Sequence, residues 1–427
     1  MNHISRKLYP LASIAAGVCT LAVALPASAI DLSNADGTWK FSVNGNVNVD
    51  YIYSSCEKDV KPVVTVGGAC TGDANGNSVS NIGNGLLPAA ISFGISTTQA
   101  GIDLAAHFGL YPGIATNDGG SPNLQASGGP TNTALGTTGL DVRQVYMTFG
   151  NKDMGTFTLG RNFGLFGFDA IISDMTLIGV GVAGSASGPT PANTTLGSIG
   201  FGYIYTDTLA QINYTTPDFG GANLTVGIFD PLNSLTEPGT PDVKSAPGFH
   251  GKLAWSQKMS DTMKLSLSGT IFEQKQTYEA LGVGGSYQSV GGDVFAKLDI
   301  GGLSLMASGY DGRGIGTTGL YILSDDGLGH ARDSYGYLVQ ATYTVGPVKY
   351  GVNYGVSRLA FANATDRATT PDLLSENAKV TGGVYYSLTK NLTLLGEVSW
   401  VNTTAHTDSA LNNNSSVDVN VGAFLAF

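Results

Sequence analysis

The sequence predicts an all-β fold, a transmembrane antiparallel β-barrel of about 16 strands. Three observations carry that prediction. Apolar and polar residues alternate with period two in one segment after another. The connections between those segments alternate long and short. The composition is glycine-rich and charge-poor, with 60 glycines in 427 residues and 12% charged residues, against about 7% and 25% in ordinary soluble domains.

The same figures exclude other classes. A coiled coil needs far more Glu, Lys and Leu. A disordered chain needs low hydrophobicity and high charge, and 42% of this chain is hydrophobic. A formal charge of −11 speaks against nucleic acid as a partner, which selects for basic surfaces. A polytopic helical membrane protein needs several apolar runs of about 20 residues. This chain has one, at its N-terminus.

That first element reads as an export signal. Arg6 and Lys7 form a basic start, Leu11 to Leu25 an apolar core, and Ala27-Ser28-Ala29 a small-x-small cleavage site. Cleavage after Ala29 divides the chain into a signal peptide, 1–29, and a barrel domain, 30–427. It removes two basic residues and takes the charge from −11 to −13. Val18 is too bulky for a lipid-attachment signal at Cys19. Export places the remaining cysteines, Cys56 and Cys70, in an oxidising compartment, where a disulfide is expected and two free thiols are the alternative. Histidine is scarce and none lies near them, so no metal site and no cofactor is expected.

The strands follow in order. Trp39–Tyr53 puts Trp39, Phe41, Val43, Val47, Val49, Tyr51 and Tyr53 on one face. Lys40, Ser42, Asn44, Asn46, Asn48 and Asp50 fall on the other. Further strands are expected near 86–97, 100–111, 142–149, 156–163, 200–215, 222–230, 248–259, 263–274, 286–300, 303–311, 334–345, 348–359, 377–388, 391–402 and 417–427. Short turns such as Gly301-Gly302 and Gly346-Pro347 alternate with long links such as 54–85, 112–141 and 164–199. A meander with unlike ends, one polar face and one apolar face closes as an inside-out barrel, lipid outside and water within. Sixteen strands leave an aqueous channel.

Two stretches carry a resemblance. Asp141–Ala170, DVRQVYMTFGNKDMGTFTLGRNFGLFGFDA, has a strand, a short turn and a strand ending in Gly160-Arg161, then a run rich in Gly and aromatics. The end, VGAFLAF, alternates apolar residues up to Leu425 and Phe427. Both resemble the general trimeric porins of Gram-negative bacteria. The resemblance implies a homotrimer in the outer membrane, in contact with lipid bilayer and lipopolysaccharide. It implies that the assembly machinery reads Leu425 and Phe427. It also implies external long loops, short periplasmic turns and a third long loop, here 164–199, folded into the lumen. Such loops set acidic residues against basic wall residues. Asp169 and Asp174 are the only charged residues between Phe163 and Ile199, so they are the expected acidic side of a pore constriction, with Arg161 and Arg143 opposite. Both aspartates could instead hold the loop by bonding backbone amides, and Arg143 could mark a strand rim. Strict alternation puts Arg161 with Phe157 and Leu159, facing outward unless the strand kinks at Gly160.

Catalysis needs a nucleophile with an oriented base. His107, His250, His330 and His406 are scattered over separate strands and loops, so no catalytic residue and no enzyme are expected. The expected function is passive diffusion of small hydrophilic solutes and ions. The alternatives are a substrate-selective channel for sugars, phosphate or organic acids, and a structural or adhesion barrel acting through its external loops.

Overall fold

The structure is a computed structural model and describes residues 30–34, 36–57, 67–71, 77–114, 140–184, 193–234, 245–280, 283–407 and 413–427. The expected signal peptide lies outside the described residues. The strands are β1 (Ile30–Ser33), β2 (Trp39–Cys56), β3 (Ser78–Gly83), β4 (Ala90–Gln99), β5 (Ile102–Pro112), β6 (Leu140–Asn151), β7 (Gly155–Phe163), β8 (Thr208–Thr215) and β9 (Ala222–Phe229). They continue as β10 (Gly248–Lys258), β11 (Met263–Ala280), β12 (Val283–Ile300), β13 (Leu303–Arg313), β14 (Asp333–Val345), β15 (Val348–Leu359), β16 (Leu374–Ser387), β17 (Leu392–Ala405) and β18 (Asn413–Ala426). Among the described residues two short helices, α1 (Phe168–Ser173) and α2 (Ala364–Thr369), lie in loops.

Among the described strands every pairing is antiparallel, all but β2–β4 and the closing pair join strands consecutive in sequence, and the sheet closes where β18 pairs with β2. Two short strands share wall positions with longer ones. β18 ends opposite Asn46 of β2, and β1 takes over the same edge from Val43 to Lys40. β3 pairs with the upper part of β2 and β4 with the lower part. Sixteen wall positions result. The last residue, Phe427, exchanges backbone hydrogen bonds with Gly45 at 2.9 and 3.0 Å, tying the end of the chain to the first long strand.

The two faces follow from period two. On β2, Val47, Val49, Tyr51 and Tyr53 are exposed, whereas Asn46, Asn48, Asp50 and Ser54 are buried inside the barrel. On β18, Val417, Val419, Val421 and Leu425 are exposed, with Asn414, Ser416, Asp418 and Asn420 inside. The apolar side chains of the outer face thus meet lipid.

Two expected strands are corrected. The segment expected near 86–97 begins only at Ala90. Pro88 has no N–H for the ladder, and residues 84–89 bend into the lumen. Asn48 fills the gap: its Oδ1 accepts the Gly85 N–H and its Nδ2 donates to the Leu87 carbonyl, both at 2.9 Å. The segment expected at 200–215 begins at Thr208. Its first part alternates like a strand, but it packs inside the barrel, with Phe201, Tyr203 and Ile204 buried.

Candidate pore constriction

After β7 the third long loop turns into the lumen and returns to β8. α1 starts at Gly167, whose φ of 74° is a left-handed conformation that glycine adopts freely. A tight 3-10 turn, Met175–Ile178, follows. The loop then docks on the gap left by residues 84–89. The Leu86 and Leu87 amides donate to the carbonyls of Gly179 and Leu177 at 2.7 and 3.0 Å. A Cβ on Gly85 would collide with the Gly179 carbonyl, so glycine permits this approach.

Side chains of the far wall hold the rest. The Gly167 N–H donates to Asp293 on β12 at 2.8 Å. Gln340 on β14 accepts the Met175 N–H at 2.6 Å and donates to the Ser173 carbonyl at 2.9 Å. Glu397 on β17 accepts the amides of Val180 and Gly181, both at 2.8 Å, and the Tyr385 hydroxyl at 2.5 Å. Asp418 on β18 accepts the Ala183 N–H at 3.0 Å. Hydrogen bonds to charged acceptors contribute about 1.5–3 kcal/mol each, so this set fixes the loop across the barrel. Apolar contacts support it: Ala170, Ile171, Leu177 and Ile178 pack on inward-facing Phe295, Met306, Tyr385 and Leu395.

The four residues expected at a constriction separate into different environments. Asp169, on α1, pairs with the Lys252 ammonium of β10 at 2.6 Å and accepts from the Ser268 hydroxyl of β11. Asp174 is buried. It accepts from the amides of Thr176 and Ser198 at 3.0 and 3.1 Å, the Tyr203 hydroxyl at 2.8 Å and Asn353 at 3.2 Å. Burial first, and then the neighbouring Asp174 carboxylate, hold the Tyr203 phenol well above its usual range, so it stays a donor.

Arg143 is the extra residue of a β-bulge. Gly109 faces Gln144 and Leu110 faces Val142, which leaves Arg143 unpaired in the ladder and buried beside Gln144. Its Nε donates to Asp141 at 3.0 Å, and its guanidinium lies 5.1 Å from the Tyr111 ring centroid. Arg161 pairs with Val145 and Ala210 in an unbroken register. Both partners are exposed on the outer face, so Gly160, despite its φ of 127°, does not shift the register. Arg143 and Arg161 share two neighbours on the loop's return, Tyr205 and Asp207. Burial pushes the Asp207 carboxyl up, while the Thr208 N–H and the two guanidiniums draw it back.

At the mouth, Cys56 and Cys70 form a disulfide. It holds a strap whose Gly68 and Ala69 amides donate to the Thr403 hydroxyl of β17 at 3.1 and 3.0 Å. The strap rests near Phe201, which clusters with Val182 and Val401. Period two places the charges of Lys252, Asp293, Glu397 and Asp418 on the inward face of their strands. Their part as anchors is not legible from sequence, because period two gives a residue's face but not its partner across the barrel. Gln340 and Asn353 carried no charge to draw notice.

A family model described as Gram-negative porin matches residues 12–406. No curated protein sequence matches the chain. Among solved structures, the outer membrane channel DcaP of Acinetobacter baumannii superposes with a TM-score of 0.65 at 13% identity, covering 93% of this chain and 99% of that one. OmpF of Salmonella typhi, in complex with daunomycin, gives 0.57 at 13% identity, covering 93% and 100%. OprB of Pseudomonas putida gives 0.55 at 11% identity, covering 91% and 94%. At such identities the likeness is one of fold.

Proposed function

The chain belongs to the Gram-negative porin family, and on that premise we propose that the loop between β7 and β8 sets which solutes pass. As a porin the protein is a channel of the outer membrane for passive diffusion. Its family and fold are those of channels, not enzymes, and no catalytic role is assigned to any residue.

The observation that carries the reading is the anchoring of this loop on inner-wall carboxylates of β12, β17 and β18. A loop fixed across a water-lined barrel makes a constriction that sieves by size and charge. In this reading the Asp169–Lys252 pair supplies opposed charges beside the path. Asp174 holds the loop's shape. Arg143 and Arg161 act at the loop's return, through Tyr205 and Asp207. The solutes are small, hydrophilic molecules and ions.

The finer points of assembly rest on the family resemblance. They are a homotrimer, contact with lipopolysaccharide, reading of Leu425 and Phe427 by the assembly machinery, and export through residues 1–29. One experiment tests the central reading: conductance of the purified protein in a planar bilayer under a salt gradient. Stable steps closing in thirds support a trimeric open channel. Absence of steps from folded protein overturns it and turns attention to the external loops.

A further inference from the structure

We propose that the cavity beneath α1, in the lower half of the lumen, is a binding subsite for small oxyanions carrying a carboxylate or phosphate group. The proposal deepens the channel reading and rests on it. The cavity measures about 280 Å³. Asp169, Ile172 and Ser173 of α1 bound it on one side, and the inner faces of β10, β11 and β12 form its wall.

Three lysines line that wall, one on each strand: Lys252, Lys264 and Lys297. The register sets them at successive levels. Lys252 lies opposite Thr270, Lys297 opposite Ser266, and Lys264 opposite Asp299 nearest the β10–β11 and β12–β13 turns. They form a rising series from the periplasmic end toward Asp169. Lys252 is already paired with Asp169 at 2.6 Å. Among the described residues Lys297 has only the long contact to Asp299, at 3.9 Å. Among the described residues no carboxylate pairs with Lys264.

Lys264 and Lys297 are diagonal neighbours on adjacent strands, within reach of one another's long side chains. Asp299 offsets part of their repulsion. An oxyanion placed between the two ammoniums relieves it and accepts charge-assisted hydrogen bonds from both. Ser266 adds a hydroxyl, bonded to Ser256 at 2.8 Å. The placement is informative because the chain as a whole is acidic, at −11. Three lysines against two carboxylates make this cavity locally basic.

The test is calorimetric titration of the detergent-solubilised protein at low ionic strength, with citrate and with inorganic phosphate. The wild type and the variant K264Q/K297Q are compared. Saturable binding to the wild type, weakened at least about tenfold in the variant, supports the subsite. The stronger of the two anions identifies carboxylate or phosphate as the preferred group. No binding of either anion, or equal binding to both proteins, overturns the proposal. The conservative variant K264R/K297R, which keeps both charges, guards against misfolding and should retain binding. Bilayer conductance on the same samples separates the two claims. Wild type that conducts but binds no anion refutes the subsite alone. Wild type that binds citrate but never conducts refutes the channel reading alone.

Discussion

Glu397 on β17 accepts the backbone N–H of Val180 at 2.8 Å, across 217 residues of sequence. One wall side chain thereby fixes the middle of the constricting loop. It also accepts the Gly181 N–H and the Tyr385 hydroxyl, so its removal strands three buried donors.

Glu397→Ala should therefore free the loop while leaving the barrel wall intact. Each unpaired buried donor costs about 1–3 kcal/mol, enough to undock the segment around Val180 and Gly181. Single-channel conductance should rise, with larger current fluctuations. An unchanged conductance in correctly folded variant would show that the anchor does not set the passage.

Asp169 and Asp174 should respond differently to loss of charge. Asp169 faces the cavity and its side chain keeps 19% of its exposure. Asp169→Asn leaves Lys252 without its counter-charge and should shift the reversal potential toward anions. Asp174→Asn keeps the shape but spoils acceptors for Thr176, Ser198, Tyr203 and Asn353. It should lower thermal stability and leave selectivity nearly unchanged. Paired melting and reversal-potential measurements decide, and equal selectivity shifts would count against the separate roles.

The fold was legible because lipid and water impose opposite demands on alternate residues, and β2 and β18 record that along their whole length. The interior was less legible. Residues 86–89 are apolar enough to pass for strand, yet Pro88 and the Asn48 side chain turn them inward. Arg143 faces inward through a bulge that nothing in its neighbours' pattern announces. Residues 200–207 alternate like a strand but bury inside the barrel against the far wall, as when the Gly202 N–H donates to Ser357 at 2.9 Å. These are outcomes of long-range packing, which a local period does not encode.

The disulfide should order the mouth more than the barrel. Linking Cys56 to Cys70 closes a loop of about 15 residues, worth ~3 kcal/mol in the chain-entropy view. Its product is the strap bonded to Thr403. In the double variant Cys56→Ser/Cys70→Ser, hydrogen exchange at Gly68 and Ala69 should quicken by about a hundredfold. Exchange along β16 to β18 should stay as in the wild type. Protection retained at Gly68 would mean that the wall hydrogen bonds to Thr403, Asn377 and Ser416 hold the strap without the disulfide.

The external loops should carry an acid-sensitive clasp. Arg332 donates through Nε and Nη2 to the two oxygens of Asp366, at 2.8 and 2.6 Å, and both side chains are buried. Burial pushes the Asp366 carboxyl up, but Arg332, the Ala362 N–H and the Thr370 hydroxyl outweigh it and hold it down at about 2, from an ordinary 3.8. A carboxyl lowered by folding stabilises the loop fully above its unfolded value and loses that contribution as pH falls through the folded one. The segment 360–373 should therefore loosen as pH drops from about 4 to about 2. Asp366→Asn should remove this pH dependence. It should also destabilise the loop at neutral pH by about 3–5 kcal/mol, because Arg332 is left buried without its partner. Hydrogen exchange of 360–373 across this pH range, referenced to an unstructured peptide of the same sequence, reads both effects. A wild-type loop equally protected at pH 2 and pH 5 would show that the Arg332–Asp366 pair does not hold it.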